Sequence, residues 1–294
     1  MSDKDDILIE KVRELNSDKP LRIDNTAEIL GEKRHLSERL SPDEARRQMA
    51  AMTRRSFIIG GAAAALGVLG WRWMSDETKT ALLRRTFELN ERVAQAFYRP
   101  TRLAAEFPGA NVTARMNGDL GLKDDFDPAA WTLAVGGLHG RTDDLKLTID
   151  EIKALPRTDM VVEFKCIEGW STITHFGGVR FSDFAAKYGP KTRDGRPPDL
   201  QREPENLVPY VSLVTPDEQY FVGWDIQAIM HPQTLLAYEL NGEPLSWQHG
   251  APLRLAIPVK YGVKNIKRVS TIRYTDVRPA DYWAERGYDW YAGL

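Results

Sequence analysis

One cysteine, Cys166, stands in a chain of 294 residues. A lone thiol excludes any internal disulfide, and the chain carries no haem or iron–sulfur motif. His35, His139, His175 and His231 show no metal-ligand spacing such as His-Glu-x-x-His. Lys and Arg number 40 against 42 Asp and Glu, a formal net charge of −2. No basic bias exists to draw nucleic acid, so no such partner is expected. There is no internal repeat and no regular strand–helix alternation with a phosphate-binding glycine loop. That argues against a doubly wound nucleotide fold. Hydrophobic residues make up 42% of the chain, enough for a sizeable core in one large domain with extensions.

Absence of disulfides leaves the compartment to targeting signals. Residues 1–52 are polar and charge-rich, with sparse apolar residues of weak periodicity, and are expected to form a partly disordered extension outside the folded core. Thr53-Arg54-Arg55-Ser56-Phe57-Ile58-Ile59 then opens a twin-arginine export pattern. The apolar run after it, to Trp71, is roughly 15 residues, against about 20 for a membrane-spanning helix. Trp71, Arg72 and Trp73 suit a membrane interface. Residues 53–75 are therefore read as a signal or anchor. Engagement of the twin-arginine translocase and a periplasmic location follow, with residues 57–74 as the inner-membrane anchor. Residues 76–110 are expected to form a helical linker, because Leu82, Leu83, Phe87, Leu89, Val93 and Phe97 recur at near-helical spacing. That helix is expected to run from Asp76 to about Phe107, with Pro100 as a stop signal.

From residue 111 to 294 short β-like runs alternate with Gly/Pro turns: 131–135, 161–164, 208–214, 220–222, 253–259 and 269–277. Helical pieces at 149–155, 181–188 and 225–230 sit between them. The expected class is α+β, mixed, with largely antiparallel sheets and short helices. Arg193 to Pro204 reads as an exposed loop that could border a substrate entrance.

Cys166 follows an apolar run, Met160 to Phe164, and precedes a Glu-Gly-Trp-Ser turn. This is a strand end presenting one thiol. It is open to three roles: a small buried hydrophobe, a nucleophile with His175 or His249 as base, or a soft-metal thiolate. Arg254 lies inside the apolar strand Leu253-Arg254-Leu255-Ala256-Ile257 and needs an anion or a paired carboxylate. His249-Gly250-Ala251-Pro252 precedes it. Lys260-Tyr261-Gly262-Val263-Lys264-Asn265-Ile266-Lys267-Arg268 follows, with four cations and free backbone donors suited to phosphate. Taken together these features favour a pocket for an anionic ligand. Tyr282, Trp283, Tyr288, Trp290 and Tyr291 are expected to pack the C-terminal tail onto the domain.

Cys166-Ile-Glu168-Gly-Trp170-Ser171, His231-Pro-Gln-Thr-Leu-Leu, Asn241-Gly-Glu-Pro-Leu, Gly250-Ala-Pro-Leu-Arg-Leu and Lys260-Tyr-Gly-Val-Lys-Asn-Ile-Lys267 occur in that order. Together they resemble the sulfite-oxidase superfamily of molybdopterin enzymes, and within it the periplasmic methionine-sulfoxide reductases. The resemblance covers residue 111 to the C-terminus. It implies a sulfite-oxidase-type fold holding molybdenum–molybdopterin, with Cys166 ligating the metal. It implies cofactor contacts at Asn117, Thr215, His249, Arg254, Asn265, Ile266 and Lys267, and an active-site tyrosine at Tyr210. It implies two-electron oxygen-atom transfer, such as reduction of an S-oxide or N-oxide like methionine sulfoxide. A separate electron partner is implied too, for which a membrane cytochrome is the natural candidate.

Sulfite oxidases carry an arginine shortly after the ligand cysteine, where this chain has Glu168, Gly169 and Trp170. An acidic residue there would repel sulfite. The chain also ends soon after the domain, so a monomeric catalytic domain without an Ig-like dimerisation module is expected. The segment 115–121 and the region after Ser171 depart from the reductase pattern. The alternatives are a sulfite-oxidase-like dehydrogenase, a thiol hydrolase using Cys166, and a non-catalytic interaction module.

Overall fold

A computed structural model describes residues 73–99, 101–110, 115–116, 118–122 and 126–293. The polar extension, the paired arginines, nearly all of the apolar segment and Asn117 lie outside the described residues. The chain divides into two compact units, residues 1–89 and 90–294. Helix α1 (Asp76–Phe97) passes through the boundary. Its start is set by Ser75, whose hydroxyl accepts from Thr78 N at 3.3 Å. Among the described residues no helix is long and apolar enough to cross a membrane.

Among its described residues the second unit holds ten strands. These are β1 (Leu133–Gly136), β2 (Leu145–Leu147), β3 (Arg157–Lys165), β4 (Ser171–Arg180), β5 (Tyr210–Val214), β6 (Phe221–Asp225), β7 (Leu235–Leu240), β8 (Glu243–Pro244), β9 (Arg254–Ala256) and β10 (Thr271–Thr275). Short α-helices join them, namely α2 (Ile149–Lys153), α3 (Phe181–Tyr188) and α4 (Ile226–Ile229). One sheet runs β2-β1-β10-β5-β6, and the other runs β3-β4-β7-β8 with β9 also on β7. Every pairing is antiparallel except β1 with β10. This is the mixed, largely antiparallel α+β architecture expected from the sequence. Leu133, Val211, Leu213 and Ile272 of the first sheet share one core with Val179, Leu236, Leu255 and the α3 residues Phe181 and Phe184.

Local chemistry explains most boundaries. α2 begins at a capping box, Thr148 with Glu151. α3 ends at Gly189 in the left-handed conformation. α1 stops at Phe97 rather than near Phe107, because tertiary pairing competes for the next residues. Gln233 holds Ala104 at both backbone groups, at 2.7 and 3.0 Å. Phe107 N then donates to Val161 O at 2.9 Å, adding an edge to β3. The expected runs lack β4 and β7 because neither alternates cleanly. β4 contains Gly177-Gly178, and β7 is buried along almost its whole length. The Arg193–Pro204 loop is tied by Arg196 to Asp194 and Glu203.

The C-terminal tail closes the first sheet. Trp290 Nε1 donates to Pro279 O at 3.1 Å, and Trp290 lies edge-on to Tyr210. Beneath it, Lys264 Nζ sits 2.6 Å from Asp281 Oδ2, with both side chains buried. Removing one partner of a buried pair leaves an uncompensated charge. Asp281→Ala should therefore cost about 3–5 kcal/mol of unfolding free energy, measured by urea denaturation. Lys264→Met combined with Asp281→Leu should recover most of that loss.

Candidate active site

The β3 alternation decides where the thiol points. Met160, Val162 and Phe164 face the core, while Arg157, Asp159 and Lys165 face out. Cys166 is next in the inward phase and is buried. The β3–β4 hairpin closes tightly around it. Cys166 N donates to Trp170 O at 2.9 Å, and Gly169 N donates to Cys166 O at 3.1 Å. Gly169 has φ +87, which a side chain would oppose. Burial pushes the thiol above its usual range, and the Glu168 carboxylate adds to that. Glu168 also accepts from Trp170 Nε1 at 2.9 Å, and the Arg115 guanidinium stacks on Trp170 at 4.4 Å.

A cavity of about 180 Å³ opens from Cys166. Its walls are the Cys166–Glu168 loop, Gly118 and Leu120, Tyr220, the 262–267 loop, and Trp283 with Tyr288. Lys267 reaches this wall and donates to Gly118 O at 2.7 Å. Burial and the nearby Arg254 guanidinium push Lys267 down to about 7. Gly250, at φ +94, lets the 246–250 turn press on Lys267, because a Cβ there would stand 2.7 Å from the Lys267 Cβ.

Arg254 is fully buried on β9. Its guanidinium donates to the carbonyls of His249 at 3.2 Å and of Leu255 and Asn265 at 3.4 Å. Among the described residues it makes no ion pair with a carboxylate. Burial alone pushes it down to about 10. Besides these carbonyls it meets the Phe164 and Phe176 rings, at 5.8 and 5.5 Å, and a buried guanidinium without a counter-charge is a standing cost that an anion offsets.

The other expected site residues fall in different places. Asn265 lines the cavity, but its side chain also braces the loop, Oδ1 accepting from Ile257 N at 2.6 Å and Nδ2 donating to Tyr261 O at 3.1 Å. Ile266 is buried in the core and gives the loop its shape. The Thr215 hydroxyl donates to Asp217 Oδ1 at 2.6 Å and accepts from Tyr220 N at 3.1 Å, so it closes the β5–β6 turn. His249 Nδ1 meets Ser246 Oγ at 2.8 Å, and its carbonyl receives Arg254.

Of the four cations between Lys260 and Arg268, only Lys267 lines the cavity. Lys264 is taken by Asp281. Lys260 donates to Gly293 O at 2.9 Å. Arg268 donates to Ala251 O at 3.2 Å and stacks on Phe126. Tyr210 sits against Trp290 at the other end of β5 and does not line the cavity. Two tyrosines do, Tyr288 and Tyr220, and the Tyr220 hydroxyl donates to Val263 O. The sequence signal for Tyr220 was the turn Pro216-Asp217-Glu218-Gln219, which folds the chain back five residues after Thr215. The Arg193–Pro204 loop is also absent from the cavity wall.

The donor set limits what the thiol can hold. Among the described residues no cluster of three or more His, Cys, Asp or Glu side chains could hold a metal ion. A metal at Cys166 must therefore bring its remaining ligands on an organic cofactor. The buried cations Lys267 and Arg254 fit the anionic tail of such a cofactor. A hydrolytic arrangement is not formed. His175 Nε2 is held by Asp159 at 2.7 Å, His249 by Ser246, and no described histidine lines the cavity.

One inward thiol and a buried cationic wall fit a protein that holds a metal on an organic cofactor. The chain belongs to the oxidoreductase molybdopterin binding domain family, whose model matches residues 120–283. It is therefore an enzyme with a molybdenum–molybdopterin cofactor, of the sulfite-oxidase type that its motifs resemble. It is 31% identical over 248 residues to a protein of Azospira oryzae provisionally named protein-methionine-sulfoxide reductase subunit YedZ1, covering 83% of this chain and 87% of that one. It is 34% identical over 154 residues to the protein-methionine-sulfoxide reductase catalytic subunit MsrP of Xanthomonas axonopodis pv. citri, covering 52% of this chain and 47% of that one. The chain thus spans about half the length of the MsrP protein. Among solved structures, the sulfane dehydrogenase SoxCD of Paracoccus pantotrophus is similar at TM-score 0.43 and 20% identity, over 52% of this chain and 40% of that one.

A charge-assisted hydrogen bond contributes about 1.5–3 kcal/mol. Lys267→Gln should accordingly weaken cofactor retention by roughly 10- to 100-fold. Molybdenum and pterin content per folded chain measures this, with thermal unfolding as the check on the fold.

Proposed function

We propose that the protein reduces an S-oxide of the methionine-sulfoxide type in the periplasm, taking electrons from a separate membrane cytochrome. The observation that carries this reading is the single cavity joining the Cys166 thiol to Lys267, with Arg254 behind it. When bound, the molybdenum centre supplies two-electron oxygen-atom transfer. The overall change is R₂S=O + 2 e⁻ + 2 H⁺ → R₂S + H₂O.

The residues of the chain hold and select. Cys166, as thiolate, would hold the metal. Lys267 and Arg254 neutralise the anionic end of the cofactor, and Asn265 keeps their loop in register. Trp283, Tyr288 and Ile167 make an aromatic and apolar wall that favours a neutral thioether oxide and excludes water. Glu168 places negative charge beside the thiol and disfavours an oxyanion such as sulfite. Tyr220, anchored on Val263 O, orients its ring over the same space.

Two further parts rest on the sequence. Arg54-Arg55 and the apolar stretch after it support twin-arginine export, with residues 57–74 retained as an anchor. The lack of haem and iron–sulfur motifs supports an external electron donor. The names of the Azospira and Xanthomonas relatives support the substrate class.

Full-length protein from a host competent in molybdenum cofactor synthesis should carry about one molybdenum per chain, lost in Cys166→Ser. It should oxidise a reduced viologen dye with methionine sulfoxide and lose that activity with the metal. Sulfite-dependent acceptor reduction faster than sulfoxide turnover would overturn the substrate reading. Export has its own test: Arg54→Lys with Arg55→Lys should leave the folded protein in the cytoplasmic fraction.

A further inference from the structure

A second hollow, of about 370 Å³, lies across the β3 backbone from the thiol. Strand alternation turns Lys165 to the face opposite Cys166. The hollow is enclosed by the chain leaving α1, by Lys165, and by the stretch 258–261 with Gly293. Its size falls in the range of about 300–1,000 Å³ typical of small-molecule sites.

Four basic side chains line it, namely Arg99, Arg102, Lys165 and Lys260, and no carboxylate is among its lining residues. Lys260 forms the floor. Its ammonium uses one donor on Gly293 O and lies 3.0 Å from the centre of the Tyr291 ring. Burial pushes it down to about 6, although Asp225 pulls the other way. Lys165 pairs with the half-buried Glu163 at 3.4 Å. The rim is apolar, with Phe97, Leu103 and Tyr261 all exposed. None of these groups touches the chemistry assigned to the Cys166 cavity.

We propose that this hollow is a second binding site, for a phosphate monoester carried on an aromatic or acyl body. Several convergent cations match a dianion better than a carboxylate. The exposed Phe97, Leu103 and Tyr261 match the apolar body, and single scattered apolar side chains would not make such a rim. A soluble aryl phosphate and the headgroup of phosphatidic acid share this chemistry.

Titration calorimetry on the full-length, molybdenum-loaded protein tests the site with phenyl phosphate, and co-sedimentation tests it with vesicles bearing phosphatidic acid. Phenyl phosphate should bind one to one, and more tightly than either phenol or inorganic phosphate. Vesicle binding without phenyl phosphate binding would also support the site and assign it to lipid. Arg102→Gln should weaken the interaction about tenfold, and adding Lys165→Gln should abolish it. Both side chains are exposed, so molybdenum content and unfolding temperature should not change. The proposal is overturned if neither probe binds or if the double variant binds like wild type. It is overturned equally if phenyl phosphate binds only cofactor-free protein, since the cations would then belong to the cofactor site.

Discussion

Arg254 sits inside β9 with its guanidinium donating only to main-chain carbonyls. The rest of the site is arranged around that charge. Two buried cations of the neighbouring loop show the contrast. Lys264 is neutralised within the protein by Asp281 at 2.6 Å, and the pair joins the loop to the C-terminal tail. Lys267 faces the Cys166 cavity, held by a carbonyl and pushed down to about 7. Transferring a charge from water to a protein interior is costly without a counter-charge. The fold meets that requirement internally at Lys264. At Arg254 no carboxylate among the described residues supplies it, and under the proposed function the anionic end of molybdopterin would do so there and at Lys267.

The thiol is placed by a simpler rule. A period of two along β3 sends Met160, Val162, Phe164 and then Cys166 to one face. A five-residue loop closed by Gly169 keeps Cys166 at the mouth of the hairpin rather than within a sheet. No described histidine shares its cavity, so the same geometry that suits a soft metal fails a nucleophile, which needs a base within hydrogen-bond reach. The hollow on the outward side of the strand comes from the same alternation, with Lys165 pointing away from its neighbour.

Legibility differed by element. α3 was readable to the residue from Phe181 to Tyr188, because its apolar spacing ends at a glycine. β1, β3, β5, β6 and β10 were readable as short apolar or alternating runs. β4 and β7 were not, since one carries Gly177-Gly178 and the other is buried along nearly its whole length. The end of α1 was misplaced because Gln233, more than a hundred residues away, claims Ala104. In the site, Cys166, Arg254, Asn265 and Lys267 were legible from motif and chemistry. The lysine-rich loop read as one cluster of four cations, and the structure sends those cations in four directions. Tyr210 was singled out near the expected strand, yet the hairpin reversal after Thr215 brings Tyr220 to the cavity.

By itself the sequence determined the α+β class, the lone thiol at a strand end, the cationic loop downstream, and the order of motifs that marks the family. These are local properties, set by periodicity, residue type and spacing. Only the tertiary structure decided which cations are spent on internal partners, which tyrosines line the thiol's cavity, and that Lys165 and Lys260 meet across a second hollow. Those outcomes depend on strand register and on contacts between residues far apart in the chain, and pairing over such distances is not encoded in any one segment.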